Sequence, residues 1–459
     1  MERRGQQKPN LIQSTPSARS RRTRRHESDT QTTGRWIRIG SRASRKDLTF
    51  NNLLSHINEE TLKEAFQGLD GSKAKGVDGV SKKAYGQQLD KRIAELSMKI
   101  QRGSYRPQPK REVLIPKADG KTRPISIACV EDKIVDSCVS KLLTMVYDQN
   151  FAQGSFGYRP NKSCNGAIRR AYGSIGNNER PHVVEIDFKS FFNTIPHKRL
   201  MKIISKRIED KKFKGLIGRF LEGETLTANG DTLPSEIGTP QGSVMSPILA
   251  NIYLDEVIDQ WFEENYRKIS GVMVRYADDA IFMFRKEEEA VEFLNALKKR
   301  VESYSLILHE EKTKIINLSK NLKNSFNFLG FTIYWGKQGK RRILKVKTQK
   351  EKLTKGIKEF YDWIKDQRNR MKLSEIWDLA KAKIQGHINY YGYQMNALKI
   401  DHFVFEAQGA LFKWLNRRSQ KRSYTWEGFE ERLKNFPLCK PLKEMKLMQL
   451  GANPYAIAK

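Results

Sequence analysis

Three aspartates at the ends of apolar strands are the residues best suited to chemistry in this sequence. Asp278 and Asp279 lie between two apolar runs, and Asp187 ends a third, over residues 183–186. An adjacent Asp pair is most often a solvated turn. At the tip of a buried hairpin, however, two carboxylates repel each other and lose hydration unless a cation neutralises them. Two carboxylate-bearing strands side by side offer the oxygen ligands that suit Mg²⁺ rather than zinc.

An oxygen-only site of this kind is suited to one class of reaction. Two Mg²⁺ ions held by Asp187, Asp278 and Asp279 would activate a primer hydroxyl and stabilise a departing pyrophosphate. That reaction is in-line phosphoryl transfer, in which the protein contributes mainly positioning and charge stabilisation. The three acids are therefore candidate catalytic residues and candidate metal ligands, with two Mg²⁺ ions as the predicted cofactor.

The elements that must position these acids follow from the hydrophobic pattern. Short apolar runs bounded by turn residues predict strands over 113–116, 183–187, 272–276 and 280–284. Apolar residues that recur every three or four positions predict helices over 89–102 and 132–146 and beyond Lys350. The acids are thus predicted at strand ends, with helices around them.

The net charge of the chain limits the class of partner that it is expected to bind. The 459 residues include 85 Lys and Arg against 52 Asp and Glu, a formal net charge of +33. Such an excess excludes an ordinary metabolic enzyme for small neutral substrates and indicates a polyanionic partner, nucleic acid before an anionic membrane surface. Residues 337–459 hold 28 Lys and Arg against 12 acids, whereas residues 49–336 are nearly balanced. This distribution is typical of a catalytic body between nucleic-acid-binding segments, although solvated helix faces give the same count.

Composition also limits the class and the compartment. A hydrophobic fraction of 38% with 10% aromatic residues predicts packed cores rather than a disordered basic protein. The four cysteines are scattered without a Cys-x-x-Cys pair, which argues against a zinc ribbon and fits a reducing compartment. No run of 18 apolar residues occurs, so no membrane partner is expected. We expect a bacterial cytoplasmic protein that works at the nucleoid, with an organelle as the alternative.

The first 48 residues are predicted to form a basic tail. They carry 13 Lys and Arg against 4 acids and include a run of arginines that ends at Arg25. A solvated, flexible tail is the first interpretation, and a tail that adds nonspecific RNA affinity is the alternative. Neither interpretation gives the tail contacts with the core.

The acid pair belongs to a tetrapeptide, Tyr276-Ala277-Asp278-Asp279, that resembles the Tyr-x-Asp-Asp box of reverse transcriptases. Six further blocks resemble that family and occur in its order. They are Ile115-Pro116-Lys117 through Arg123-Pro124, Phe156–Pro160, Glu185–Phe188 with Phe191-Phe192, Thr239–Pro247, His309–Thr313 and Phe328–Phe331. A single box is weak support, whereas seven ordered blocks across residues 113–331 are specific. The resemblance implies an RNA-directed DNA polymerase, a nucleotidyltransferase.

Within that family the chain resembles the group II intron maturase lineage. The blocks that carry this resemblance are Asn51–Leu54 to Gly76–Val80, Gly103–Pro107, Gly386–Gly392 and Trp414–Ser419. The resemblance covers about residues 49–435. Many intron proteins end in a His-Asn-His endonuclease, but no His-rich or Cys-pair spacing follows Lys421. The endonuclease-lacking type is therefore predicted, which would insert by using an existing DNA primer.

The resemblance also implies an architecture. The fold class is α+β: a right-hand polymerase with fingers and an antiparallel palm sheet, followed by a helical thumb or maturase domain. The predicted divisions are a basic tail over 1–48, an N-terminal extension and the start of the fingers over 49–110, fingers and palm over 111–336, the thumb/maturase domain over 337–435, and a short basic segment over 436–459.

The resemblance implies a nucleotide-binding role for five residues. Lys117 and Arg123 flank a fingers hairpin and would hold the incoming triphosphate; the alternative is two exposed cations on a turn. Gln241 lies in a tight bend that lets the backbone approach the nucleotide. Phe188 would line the pocket, and Phe192 would pack against the 2′ carbon of the sugar. Strand alternation predicts that Phe192 faces this pocket while the preceding ring is core.

Further residues take their predicted roles from the same resemblance. The backbone carbonyl of Phe188 would be a fourth metal ligand. Lys312 would donate a proton to the leaving pyrophosphate, although a solvated lysine is an equal alternative. Phe328, Leu329 and Gly330 would form the primer grip, in which the glycine lets the primer backbone approach closely.

The function follows with its alternatives. The first hypothesis is an RNA-directed DNA polymerase that also binds its structured intron RNA, assisting RNA splicing and retrohoming of a mobile element. Its partners would be an RNA template with a DNA primer, a DNA target and deoxynucleoside triphosphates. The second is a noncatalytic RNA-binding maturase, and the third an intron-derived reverse transcriptase used in antiviral defence or DNA repair. The intact acids favour the first over the second, because a pure binding module needs no Mg²⁺ site.

Overall fold

The chain divides into two compact units. A computed structural model describes residue 36 and residues 38–116, 122–176, 180–240, 242–268, 270–319, 322–418, 424–440, 444–445 and 447–450. The first unit comprises Met1–Asn150, Ile204–Ser235 and Gly242–Met245. The second comprises Phe151–Ile203, Glu236–Gln241 and Ser246–Lys459.

The first unit is mainly helical. Its helices are α1 (Glu59–Gly68), α2 (Lys82–Gly86), α3 (Leu89–Arg102), α4 (Val130–Tyr147) and α8 (Lys211–Leu221), with single 3₁₀ turns at Leu54–His56 and Asp148–Asn150. The predicted helices over 89–102 and 132–146 are confirmed as α3 and α4. Gly103 ends α3 with φ of 74°, a left-handed conformation that glycine adopts without strain.

A four-stranded sheet completes the first unit. Its strands are β1 (Lys110–Pro116), β2 (Thr122–Ile127), β4 (Thr225–Leu226) and β5 (Thr232–Leu233), in the order β2-β1-β4-β5. β1 and β2 form an antiparallel hairpin in which Ile115 pairs with Arg123. The hairpin carries one of the blocks that resemble the fingers, and its strand over 113–116 was predicted.

The second unit contains the sheet that carries the acids. Its strands are β3 (His182–Ile186), β6 (Val272–Tyr276), β7 (Asp279–Phe284) and β8 (Lys314–Asn317), in the order β6-β7-β3-β8. All three pairings are antiparallel, as predicted for a palm sheet. The apolar strands are buried nearly throughout, which explains why they read as short continuous apolar runs.

A second sheet follows in the chain. β9 (Ser325–Phe328), β10 (Phe331–Gln338) and β11 (Arg341–Thr348) form an antiparallel meander in the order β11-β10-β9. Phe331, Ile333 and Trp335 of β10 and Leu344 and Val346 of β11 belong to the same buried cluster as Val183 and Ile281 of the palm sheet. The predicted boundary between residues 336 and 337 therefore cuts through β10, and the helical part begins at Lys350. Sequence reasoning did not predict β11, although residues 344–347 alternate between apolar and polar side chains.

Helices cover the palm sheet and form the C-terminal part. They are α5 (Cys164–Gly176), α6 (Phe191–Thr194), α7 (His197–Ser205, which continues into the first unit), α9 (Ser246–Leu254), α10 (Gln260–Asn265), α11 (Glu287–Ser303), α12 (Lys350–Gln367), α13 (Leu373–Tyr391), α14 (Ala397–Leu415) and α15 (Trp426–Asn435). A π-helical turn at Asp255–Asp259 joins α9 to α10, and a 3₁₀ turn lies at Gln394–Asn396. None of the described helices is long and apolar enough to cross a membrane.

The predicted tail is wrong at its C-terminal end. Residues 1–35 lie outside the described residues, but residues 38–43 are helical and the side chains of Trp36, Ile39 and Ala43 are buried. Arg207 donates hydrogen bonds to the carbonyl of Ala43, and Lys141 lies over the Trp36 ring. The core of the first unit thus begins near residue 36 rather than after residue 48. The arginines between these apolar residues hid their spacing.

A pair of truncations tests this boundary. Removing residues 1–35 should leave the free energy of unfolding and primer extension unchanged, and should lower nonspecific RNA affinity modestly. Removing residues 1–43 should lower the free energy of unfolding by at least about 2 kcal/mol, because two large buried side chains are lost. Urea denaturation of both variants measures the difference. Equal stability of the two truncated chains would contradict the burial of Trp36 and Ile39.

Candidate active site

The palm sheet brings the predicted acids to one edge. Ile186 pairs with Ala280 in the antiparallel ladder of β3 and β7. The next positions along that ladder are Asp187, which follows β3, and Asp279, which begins β7. Directly opposed residues in such a ladder lie about 5 Å apart between Cα atoms. Asp278 is the last residue of the turn before β7, so all three predicted aspartates lie at the same end of the sheet.

Their mutual repulsion is visible in the titration of Asp279. Desolvation at the sheet edge, together with the negative charges of Asp278, Asp187 and Glu185, raises the pKa of Asp279 to about 6, and Lys312 opposes the shift. Asp279 nevertheless keeps an exposed surface, so neighbouring protein crowds its carboxylate without enclosing it. A site that gathers like charges in this way is suited to a cation.

Lys312 lies inside this group of acids. Its Nζ donates a hydrogen bond of 2.7 Å to Oδ2 of Asp187. Within the described residues, no group of three or more His, Cys, Asp or Glu side chains converges closely enough to hold a metal ion. The donor set still fits Mg²⁺, since it consists of hard carboxylate oxygens on adjacent strands. A divalent ion and the Lys312 ammonium would compete for Asp187.

The turn that carries the acid pair is backbone-strained. Tyr276 pairs with Asp279, which leaves Ala277 and Asp278 as a two-residue hairpin loop. Ala277 has φ of 58°, a left-handed conformation that costs a non-glycine residue about 1 kcal/mol. The surrounding structure must therefore hold this turn.

A buried arginine, Arg275, holds the turn at Ala277 through hydrogen bonds. The Nη1 of Arg275 donates to the Ala277 carbonyl at 2.9 Å and to Oδ1 of Asn251 at 2.9 Å. Its Nε donates to Asp259 at 2.8 Å, its Nη2 also bonds Asp259, and both side chains are fully buried. Nη2 donates as well to the Ser155 hydroxyl at 2.9 Å. Sequence reasoning missed this network, whose one signal was an arginine inside the apolar run 272–276.

The second predicted fingers block packs directly on the same turn. The backbone N–H of Phe156 donates to the carbonyl of Arg275 at 2.8 Å. A Cβ atom on Gly157 would lie 2.2 Å from the backbone nitrogen of Ala277, so no other residue fits there without displacing the turn. Asn251 donates to the Gly157 carbonyl at 2.8 Å. This block therefore belongs to the support of the acid pair, in the second unit.

Phe191 and Phe192 lie on a helical turn, not on a strand. They begin α6, so the predicted strand alternation is wrong, because Ser190 adopts φ of 50° and turns the chain away from the sheet. Phe191 is buried at 2% exposure against Phe188, whereas Phe192 is half-buried. The carbonyl of Phe192 accepts a hydrogen bond from the N–H of Thr239 at 2.6 Å. Phe192 thus lies beside the block that begins at Thr239.

The predicted primer-grip residues form a tight turn between β9 and β10. Phe328 pairs with Phe331, and both Leu329 (φ 49°) and Gly330 (φ 79°) are left-handed, as a type I′ hairpin requires. Tyr390 donates to the Leu329 carbonyl at 3.1 Å. A Cβ atom on Gly330 would meet the Tyr391 hydroxyl at 2.9 Å. The close approach at Gly330 is therefore to a tyrosine of α13.

The block Gly386–Gly392 supplies both of these tyrosines. Its His387 stacks on Phe403 with ring centroids 3.6 Å apart, and burial lowers the pKa of His387 to about 4. A neutral, stacked imidazole at this position packs the helical core. The block thereby joins the C-terminal helices to the turn between β9 and β10.

The remaining predicted nucleotide-binding residues belong to the first unit or lie outside the described residues. Arg123 lies on β2. Lys117 and Gln241 are outside the described residues. Gly242, next to Gln241, has φ of 111°, and a Cβ atom there would lie 2.5 Å from the Ser126 carbonyl. The tight bend expected at this position is therefore present on its described side.

Buried Asp136 fastens the chain that follows Gly242. It accepts hydrogen bonds from the Ser243 hydroxyl at 2.7 Å and from the N–H groups of Val244 at 2.8 Å and Met245 at 3.0 Å. Burial raises the pKa of Asp136, and these three donors oppose that shift. Sequence reasoning missed this anchor, because a single Asp in an amphipathic helix carries no signal of its partners.

Comparison with known proteins identifies the family of the chain. A family model described as "Reverse transcriptase (RNA-dependent DNA polymerase)" matches residues 115–333, which span all the palm strands. Protein YkfC of Escherichia coli is 30% identical over 57% of this chain and 76% of its own length. The chain belongs to the reverse transcriptase family. The predicted fold class, a right-hand polymerase, and the predicted enzyme class, an RNA-directed DNA polymerase, are thereby confirmed.

Other relatives indicate which branch of the reverse transcriptase family the chain resembles. The group II intron-encoded protein LtrA of Lactococcus lactis is 29% identical over 68% of this chain and 51% of its own length. A putative COX1/OXI3 intron 2 protein of Saccharomyces cerevisiae is 32% identical over 49% of this chain and 25% of its own length. The chain thus spans about half and a quarter of these two relatives. Their names confirm the predicted resemblance to a group II intron-type reverse transcriptase/maturase.

Proposed function

We propose that this reverse transcriptase copies RNA into DNA by two-metal phosphoryl transfer at Asp187, Asp278 and Asp279. The observation that carries the proposal is the register of the palm sheet, which sets Asp187 opposite Asp279 and Asp278 beside them. The raised pKa of Asp279 supports it, because the charges of the carboxylates crowded at this point add to the effect of desolvation. Such crowding has no structural benefit in the absence of a cation.

The three aspartates, the Phe188 carbonyl and Lys312 each have a stated role in this proposal. The three carboxylates, with the backbone carbonyl of Phe188, would hold two Mg²⁺ ions. Bound ions would lower the pKa of the primer hydroxyl and stabilise charge on the leaving pyrophosphate. The Lys312 ammonium pairs with Asp187, with 2.7 Å between Nζ and Oδ2. We assign it the role of proton donor to pyrophosphate, since its ammonium is exposed at the edge of the site.

Nucleotide binding is proposed for the residues that the family resemblance assigns to it. Arg123 and Lys117 would hold the triphosphate, as cations paired with phosphate oxygens. Gln241 would present the bend before Gly242 to the nucleotide, and Asp136 keeps the following chain in place. Phe188 is buried, so it would line the pocket from below through its backbone and ring edge. The proposed primer grip, Phe328 to Gly330, would fix the primer end.

Phe192 is proposed as the residue that excludes ribonucleotides. Phe192 follows Asp187 by five residues, its ring is half-buried, and its backbone carbonyl accepts a hydrogen bond from the N–H of Thr239. Phe192→Val should raise ribonucleotide incorporation relative to deoxynucleotide incorporation by about 10²-fold. The Phe192 ring would reject the 2′-hydroxyl only by steric overlap, and the smaller valine side chain would remove that overlap. Phe191→Val is the matched control, because this buried ring should affect stability and not selectivity. Undetectable ribonucleotide extension by a folded, DNA-synthesising Phe192→Val enzyme would place the gate elsewhere.

The wider role is proposed as that of an intron-encoded maturase. The chain would bind its structured intron RNA, assist splicing, and support retrohoming into a DNA target from an existing primer. The group II intron names of the relatives support this, as does the net charge of residues 337–459. The alternatives remain a noncatalytic RNA-binding maturase and a reverse transcriptase used in antiviral defence or DNA repair.

Two observations separate these possibilities. Primer extension on an RNA template with Mg²⁺ should yield full-length DNA, and its absence in a folded, RNA-binding preparation would favour the noncatalytic maturase. Intron RNA sequences that flank the gene would support the mobile-element role. A gene without them would favour defence or repair.

A further inference from the structure

The basic excess of the C-terminal part is concentrated on one hairpin. β10, β11 and the turn between them, residues 331–348, contain six Lys and Arg and no Asp or Glu. The six are Lys337, Lys340, Arg341, Arg342, Lys345 and Lys347. Within the described residues none of the six pairs with an acid. We call residues 331–348 the basic hairpin.

The basic hairpin has one apolar face and one cationic face. The apolar face, with Ile333, Trp335, Leu344 and Val346, is buried in the core. Strand alternation places Arg341, Lys345 and Lys347 on the opposite face, beside Tyr334. Lys347 Nζ lies 4.6 Å from the Tyr334 ring centroid, and Lys345 Nζ bonds the Lys337 carbonyl at 2.6 Å. Two of the three cations are thus held in place.

This arrangement opposes the stability of the hairpin itself. Lys345 and Lys347 lie two residues apart on the cationic face of β11, where their like charges repel each other. Lys340 and Arg341 add two exposed cations at the tip. Protection of β11 as an edge strand accounts for its own lysines but not for Lys337, which pairs with Arg342 from the central strand β10. A polyanion over the cationic face would relieve the repulsion between Lys345 and Lys347.

The position of the hairpin identifies that polyanion. β10 begins immediately after the proposed primer-grip turn at Leu329 and Gly330, and its eight residues extend about 26 Å from it. We propose that the cationic face of the basic hairpin binds the phosphate backbone of nucleic acid leaving the proposed primer grip. The inference rests on the proposed polymerase function, which it extends by a binding surface outside the site of chemistry.

The test compares two triple variants that lose the same charge. The first is Arg341→Gln, Lys345→Gln and Lys347→Gln, and the control is Lys286→Gln, Lys298→Gln and Lys299→Gln, exposed cations at and on α11. Binding of a mixed-sequence single-stranded RNA and of an RNA–DNA template–primer duplex is measured against KCl concentration, without nucleotides. Each lost phosphate contact lowers the log–log slope by about 0.7 for a single strand and about 0.9 for a duplex.

The hairpin variant should reduce the slope by at least about 2 on the duplex probe, while the control changes it by less than about 0.5. A reduction confined to the single-stranded probe would contradict the proposal, because unpaired template or intron RNA rather than the template–primer duplex would then occupy the cationic face. Equal slopes for the two variants would overturn the proposal, as would an unchanged slope with self-association, which indicates edge protection. Binding without nucleotides separates this result from failure of the polymerase itself.

Discussion

Replacement of Asp278 by asparagine should reduce DNA synthesis by about 10⁴-fold, equivalent to about 5.5 kcal/mol at about 1.4 kcal/mol per factor of ten. The substitution removes one negative charge from the edge shared with Asp187 and Asp279 while it keeps the size of the side chain and the turn. RNA binding should change little, because the basic surfaces are untouched. Single-turnover primer extension with Mg²⁺ and RNA binding at fixed salt measure the two effects separately.

Asp378→Asn is the matched control for this substitution. Asp378 is exposed on α13, away from the palm sheet edge, and its replacement changes the net charge by the same amount. The control should extend primers at the rate of the unchanged protein. If Asp278→Asn also extends normally, the hairpin between β6 and β7 is not the metal site and the proposed mechanism is wrong.

The candidate site was largely predictable from local sequence. The strands over 183–187 and 272–284 are short apolar runs that end in acids, and antiparallel pairing needs nothing more to bring those acids together. The block at Leu329 and Gly330 was recognised by resemblance, but its turn between β9 and β10 was not predicted. Hydrophobic patterns with a period of two or four residues, and a glycine where the pattern ends, can be recognised from neighbouring residues alone.

What sequence reasoning missed depends on partners distant in the chain. Arg275 bonds Ser155, Asn251 and Asp259, and no local pattern links those positions. The helical turn at Phe191 was also not predicted, because Ser190 adopts a left-handed conformation that residue type alone does not predict. β11 was not predicted, although Leu344-Lys345-Val346-Lys347 alternates between apolar and polar residues.

The structure also changes the interpretation of the block Gly386–Gly392. By resemblance it marks the maturase domain, yet Tyr390 bonds the Leu329 carbonyl and Tyr391 closes on Gly330. Its His387 is buried and stacked. The residues of this signature therefore support the proposed primer grip, so that substitutions there should affect primer use as well as RNA binding.

Loss of Arg275 should have the largest effect on stability. Arg275→Met leaves Asp259 fully buried without its partner, which should lower the free energy of unfolding by about 3–5 kcal/mol. Arg267→Met is the matched control, because Arg267 pairs with Glu263 at 2.7 Å on the surface and should contribute less than about 1 kcal/mol. Urea denaturation of the two variants compares a buried ion pair with an exposed one.

A double variant separates the support of the fold from the support of the catalytic turn. Arg275→Met with Asp259→Leu removes both buried charges, and apolar replacement of such a pair is often neutral, so most of the stability should return. The Ala277 carbonyl still lacks the donor that holds its left-handed conformation, so DNA synthesis should remain impaired although the protein is folded. Primer extension at the rate of the unchanged protein by the stable double variant would show that Gly157 and the strand pairing suffice to hold the turn. Slow extension with restored stability would identify Arg275 as the residue that positions Asp278 and Asp279.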